Sequence, residues 1–220
     1  VALRMLSKAA KPAKGDAARI SERRKLWTSR HQAYVKGLKE QAAKERAANG
    51  IGPIALASIA AEVLPEDTVF VDETITHMPV MRAHLPLNHP QSFFRVTGGA
   101  LGQGIAAALG AKLGAPNREV ITSVGDGSYM FGNPLPYHFV QRAEKLPILT
   151  IITNNLQWYA VNRSTVAVYP KGKAASANLM PLTSLDPSPA FEKMVETCGG
   201  FGAKVETPEE VMPALKKAFE

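Results

Sequence analysis

The hydrophobic pattern changes character part way along the chain. Residues 1–19 show no sustained apolar periodicity and read as loose linker. The following stretch carries Leu26, Trp27, Tyr34, Val35 and Leu38 on a partial helical stripe, behind Ser21, a residue type suited to an N-cap. From Gly50 the texture is different. Short apolar runs, "TVFVDE", "REVITSVG" and "LPILTIITNN", alternate with longer segments of helical character, "PIALASIAAEVL", "GGALGQGIAAALGAKLGA" and "LPYHFVQRAEK". Runs apolar at every position predict strands covered on both faces, and their alternation with helices predicts an α/β fold: a mostly parallel sheet with helices on both faces. "SFFRVTGGAL" is a poor strand by the same criteria. Residues 162–190 read as loop from their Pro, Gly and Ser content, and a loop of that length in a compact domain is more often functional than idle. The end predicts helix, short strand, then a helix begun by Pro208. This divides the chain into a basic linker and helical arm, 1–49, and a folded domain, 50–220.

Composition sharpens this picture at two points. The chain has 220 residues, 45% of them apolar, enough for a real core, and its single cysteine, Cys198, rules out an internal disulfide and suits a reducing, cytoplasmic compartment. No apolar run approaches the roughly 20 residues of a bilayer span. The net charge of +7 is concentrated in residues 1–46, which hold 13 Lys or Arg against four acids. Such an arm is compatible with a nucleic-acid or membrane patch or an organelle-targeting segment. It lacks interleaved aromatics, and a solvated helical arm with neither nucleic-acid nor membrane partner is the expectation. Val1 in place of an initiator methionine points to a processed chain or a fragment.

The chemistry concentrates where two strands end. Val120–Val124 runs into Gly125-Asp126-Gly127, and Ile148–Thr153 runs into Asn154-Asn155. A right-handed crossover between them brings these ends together at the carboxyl edge of the sheet, where open α/β sheets bind ligands. A carboxylate and a carboxamide are hard oxygen donors suited to Mg²⁺, which shares its shell with phosphate oxygens. Gly125 and Gly127 permit close backbone approach, and Ser128 offers a hydroxyl and amides to an anion. Metal plus diphosphate is the reading.

Gly125-Asp126-Gly127, 26 intervening residues, and then Asn154-Asn155 resemble the binding motif of thiamine-diphosphate-dependent enzymes of the acetolactate synthase and benzoylformate decarboxylase type. The resemblance runs from about residue 50 to the end and covers their diphosphate-binding domain, with the preceding arm similar to their connector. It implies Mg²⁺ ligation by Asp126, the Asn155 side chain and the backbone carbonyl of Gln157, with Ser128 on the diphosphate. "VDETITH" resembles the segment that touches the diphosphate from the neighbouring strand, which implies Thr76. "GGALG" resembles the turn whose carbonyl, at Gly99, receives the aminopyrimidine while Leu101 holds the cofactor bent. Ala160 and Val161 would line the substrate side. Leu156 and Trp158 depart from the smaller residues often seen in that loop.

The same resemblance implies decarboxylation or carboligation of a small 2-oxo acid, a homo-oligomer (dimer or tetramer), and an activating glutamate on a separate pyrimidine-binding domain, in the same parent chain or a second subunit. Glu73 is therefore expected to be structural. Of the histidines only His77, beside Thr76, lies near the site. Two rival readings stand beside this one. Gly102-Gln103-Gly104-Ile105-Ala106-Ala107 matches the G-x-G-x-x-A fingerprint of a dinucleotide-binding oxidoreductase, and a catalytically silent cofactor-binding module would have the same sequence.

Overall fold

The computed structural model describes residues 2–10, 15–177 and 179–220. They divide into two compact units, 1–44 and 45–220.

In the first unit the expected linker is helical: α1 spans Ala2–Ala9 and α2 starts at Asp16 and runs to Arg46, with residues 11–14 outside the description. Alanine, leucine, lysine and arginine are strong helix formers even where no apolar stripe is legible. Ser21 consequently lies inside α2 and does not cap it. Asp16 holds the first turn instead, accepting a hydrogen bond from Arg19 at 2.8 Å.

The second unit contains α3 (Pro53–Ala60), β1 (Val69–Glu73), α4 (Met78–His84), β2 (Phe93–Arg95), α5 (Gln103–Gly114), β3 (Val120–Gly125), α6 (Asp126–Phe131), α7 (Pro134–Ala143), β4 (Leu149–Thr153), α8 (Tyr159–Val168), α9 (Lys173–Ser176), α10 (Glu192–Glu196) and α11 (Pro208–Ala218). The strands form one sheet in the order β2-β1-β3-β4, every pair parallel. Side chains alternate across it as the pleat requires. Phe70 and Ile121 face α3, α4 and α11 through Ala57, Ala60, Met81, Val211 and Leu215. Val69, Val71 and Val120 face Ala108 of α5 on the other side. Farther along that second face, Val124 and Ile152 meet Tyr129, Tyr137 and Phe191. Burying each such side chain contributes roughly 1.5–3 kcal/mol.

Helices therefore cover both faces, as the apolar runs predict. The weak "SFFRV" segment pairs with β1 as a three-residue edge strand. The short strand expected before the last helix does not form: residues 201–206 carry no regular structure. Glycines at 199, 200 and 202 supply no side chains to pack there, which weakens a strand. Residues 162–190, expected as loop, carry most of α8 and all of α9. The terminal helix α11 starts at Pro208 behind a capping box, Thr207 with Glu210.

Register aligns the strand ends. Glu73 lies opposite Val124, and Gly125 opposite Thr153, so the residues that follow β1, β3 and β4 emerge side by side along one edge of the sheet. Arg118 ties the opposite edge, donating to the Asp67 carbonyl and the Ser92 hydroxyl, both at 2.6 Å.

One backbone contact fixes α5 against α6. Gly102 has φ +82°, and a Cβ there would strike the backbone of Gly132. Gly102→Ala is expected to cost at least about 2 kcal/mol from left-handed strain plus this collision, read as a lowered urea midpoint at unchanged slope.

Candidate active site

Asp126 opens α6 immediately beyond β3, its side chain only 4% exposed. Oδ1 accepts the Gly127 amide at 2.9 Å, while Oδ2 is buried with no hydrogen-bond partner. A buried carboxylate oxygen left bare is costly unless something ligates it. Beside it, beyond β4, Asn154 accepts the Leu156 amide and donates to the Ser188 hydroxyl at 2.8 Å. Asn155 Oδ1 accepts the Gln157 amide at 3.2 Å. The Gln157 carbonyl accepts from the Tyr159 amide at 2.8 Å and retains a second lone pair. These are oxygen donors on adjacent strand ends, and no cluster of three or more His, Cys, Asp or Glu able to hold a metal occurs among the described residues. The donor set suits a hard cation and fits Mg²⁺ with a diphosphate.

The loop from Leu156 to Trp158 is held from outside. Leu185 donates to the Leu156 carbonyl at 2.7 Å, Trp158 donates to the Thr183 carbonyl at 2.8 Å, and Gln157 and Ser184 form an antiparallel bridge. This ladder keeps Leu156 at φ +59°, a conformation that disfavours a branched side chain. The Trp158 indole lies on Gly127, where a Cβ would collide with it. Gly127 thus admits the tryptophan ring, while the space over Gly125 is open. The bulk noted at these positions is accommodated differently: Leu156 is exposed, and Trp158 packs on Gly127.

The other predicted positions group around β1. Thr76 sits in the turn after it, closed by the His77 and Met78 amides on the Thr74 carbonyl. Gly99 and Leu101 line a cavity of about 40 Å³ with Glu73, Thr74, Ile75 and Arg95. Asp72, at the end of β1, accepts from the amide and hydroxyl of Thr74. Burial nevertheless raises its carboxyl above the ordinary range, and burial lowers the His77 imidazole below its own.

Glu73 is occupied. Its two oxygens receive the amides of Gly102 at 2.5 Å and Gly104 at 2.6 Å, capping α5. Burial holds its carboxyl above the usual glutamate range, with those amides acting in the opposite direction. The glycine run that matched a dinucleotide fingerprint therefore spends its amides on Glu73, where a pyrophosphate would need them, and it follows an edge strand. That geometry argues against the dinucleotide reading.

Ala160 and Val161 lie in the first turn of α8, with Val161 exposed. A cleft of about 430 Å³ opens next to the loop, lined by Leu156, Gln157, Asn162, Val166 and Met180 and not by Ala160 or Val161. Sequence reasoning missed the Glu73 cap, the Trp158 contact and the ladder to Thr183–Leu185. A glutamate ending a strand before a glycine-rich helix start was a signal for the first. No local signal announces the other two.

Residues 74–220 match the family model described as thiamine pyrophosphate enzyme, C-terminal TPP binding domain. A sulfoacetaldehyde acetyltransferase of Castellaniella defragrans is 26% identical over 195 residues, 88% of this chain and 31% of that protein. The acetolactate synthase large subunit IlvG of Mycobacterium tuberculosis is 34% identical over 121 residues, 55% of this chain and 20% of that protein. Among solved structures, the thiamine diphosphate-dependent 4-hydroxybenzoylformate decarboxylase of Rhodococcus jostii RHA1 superposes with TM-score 0.69 at 27% identity, covering 79% of this chain and 31% of that one. The chain spans about a third of the length of the first curated relatives it matches.

Proposed function

Since the chain belongs to the thiamine pyrophosphate enzymes, as their C-terminal TPP binding domain, we propose that it holds Mg²⁺ and the diphosphate of thiamine diphosphate at the carboxyl ends of β1, β3 and β4. The observation that carries the proposal is the bare, buried Oδ2 of Asp126 beside the asparagine pair. Asp126, the Asn155 side chain and the Gln157 carbonyl ligate the metal. Ser128, Thr76 and the backbone at Gly125 receive the diphosphate, whereas Gly127, expected to share in this, lies under the Trp158 ring and gives its amide to Asp126. Gly99 and Leu101 receive and bend the pyrimidine end, and Ala160 and Val161 face the substrate. Bound thiamine diphosphate supplies the electron sink for breaking or forming a carbon–carbon bond next to a carbonyl.

The whole enzyme acts on a small 2-oxo acid, by decarboxylation or carboligation. Relatives named for a synthase, an acetyltransferase and a decarboxylase support that range. A pyrimidine-binding domain, in the same parent chain or on a second subunit, completes the site within a cytoplasmic homo-oligomer, dimer or tetramer. No described helix is long and apolar enough to cross a membrane.

Calorimetric titration of the chain is expected to give heat with thiamine diphosphate only when Mg²⁺ is present. Heat with NAD instead would restore the dinucleotide reading. By itself the chain is expected to release no carbon dioxide from pyruvate or benzoylformate, because a lone diphosphate-binding unit leaves the other half of the cofactor in solvent. Activity should return when the pyrimidine-binding domain is supplied. Carbon dioxide release by the chain alone, lost in Glu73→Gln, would instead make Glu73 the activating acid.

A further inference from the structure

Behind α6 runs a chain of buried and half-buried hydrogen bonds that the cofactor reading does not use. The Tyr129 hydroxyl meets His138 Nε2 at 2.6 Å, and His138 Nδ1 meets Gln141 Oε1 at 2.7 Å. Gln141 Nε2 in turn donates to the Ile148 carbonyl at 3.1 Å. Tyr129 and His138 are 1% and 4% exposed, so the bond between them is sheltered from water, while the two bonds through half-buried Gln141 are partly so.

The direction of the chain follows from its far end. A backbone carbonyl only accepts, so Gln141 turns its amide nitrogen to Ile148 and its oxygen to His138. His138 must then carry its proton on Nδ1, which leaves Nε2 as the acceptor for the tyrosine hydroxyl. Burial lowers the imidazole's proton affinity and raises the Tyr129 pKa above the ordinary tyrosine range, both of which favour the neutral pair.

The two ends of the chain lie at the two elements that carry the candidate metal site, α6 and β4. Tyr129 lies one helical turn after Asp126 on α6, a six-residue helix far too short to set its own orientation. Ile148 directly precedes β4, the strand whose end presents Asn154 and Asn155. A second strut runs parallel, from the Tyr137 hydroxyl on α7 to Thr150 of β4 at 2.9 Å. Phe191 meets the Tyr129 ring edge-on, centroids 5.6 Å apart, which fixes the ring plane and so the aim of its hydroxyl.

We propose that Tyr129, His138 and Gln141 are positioning residues: a directed relay through an Nδ1-protonated His138 that sets Asp126 at a fixed distance from the asparagine pair that follows β4. The proposal rests on the reading above for what Asp126 binds, but not for the coupling of α6 to β4.

Tyr129→Phe removes one hydroxyl and keeps the ring against Phe191. Its Mg²⁺-dependent affinity for thiamine diphosphate is expected to fall roughly tenfold, the scale of losing one or two buried hydrogen bonds. With Tyr129 intact, His138→Gln can still accept from it and donate to Gln141, and is expected to retain most of the unaltered affinity. His138→Phe is expected to lose as much as Tyr129→Phe.

In the ligand-free chain, ¹⁵N NMR should report a neutral, Nδ1-protonated His138 at neutral pH. Tyr129→Phe should move the amide resonances of Gly127, Ser128, Asn154 and Asn155. Unchanged affinity, or these four amides at rest while only the unfolding midpoint drops, would reduce the network to core packing and overturn the proposal. If the unaltered chain binds no Mg²⁺ and thiamine diphosphate, the cofactor reading falls, and the amide shifts alone decide for or against the relay.

Discussion

Asp126→Ala is expected to abolish the stabilisation of the fold by Mg²⁺ and thiamine diphosphate while leaving the ligand-free chain nearly as stable as before. A ligand at about 100 times its dissociation constant stabilises the folded state by roughly 2.7 kcal/mol if it binds that state alone. Losing the metal ligand removes all of it. Without ligand the substitution deletes one bond, from the Gly127 amide, but also a buried oxygen with nothing to accept. Those effects oppose one another and leave a net change within about 1 kcal/mol. Melting curves of both proteins, with and without the two ligands, separate the contributions. A variant that still shifts with ligand would remove Asp126 from the metal site.

Glu73→Ala should act in the opposite way, costing stability whether or not cofactor is present. It strips the caps from the Gly102 and Gly104 amides and opens a void beside Gly104. Each hydrogen bond to a charged group is worth about 1.5–3 kcal/mol, against which stands relief of the buried charge, so a net loss of about 3 kcal/mol is expected in urea denaturation. The sign with pH is also fixed. Burial holds the Glu73 carboxyl above its usual value of 4.5, so its contribution is fullest below that pH and declines as pH rises through the folded-state value. Unchanged stability in Glu73→Ala, with catalysis lost once the pyrimidine-binding domain is supplied, would identify an activating acid and not a cap.

Strands β1, β3 and β4 were legible because central parallel strands, apolar at nearly every position, resemble little else. Their ends were legible because Asp126 and Asn154-Asn155 interrupt such runs abruptly. The rest depends on contacts that sequence does not order. Helix α8 is built from Val, Thr, Ser and Asn, weak helix formers whose local preferences point to loop. It stands next to a loop that is laddered to residues 25 to 29 positions away, and no periodicity encodes that pairing. Glu73 was expected to be structural, but its partners, the Gly102 and Gly104 amides, lie some 30 residues away and no local pattern names them. His138 finds its partners nearby, Tyr129 and Gln141, but only once α6 and α7 pack together.

With Leu156–Trp158 laced to Thr183–Leu185, residues 159–182 leave and re-enter the domain through adjacent doorposts. Closing a flexible excursion costs only about 0.6 kcal/mol more for each doubling of its length. Insertions or deletions within it therefore alter the wall of the neighbouring cleft without disturbing the doorposts or the strand ends behind them. In this architecture the wall of the cleft is free to vary in length and composition, while the strand ends behind it stay in register.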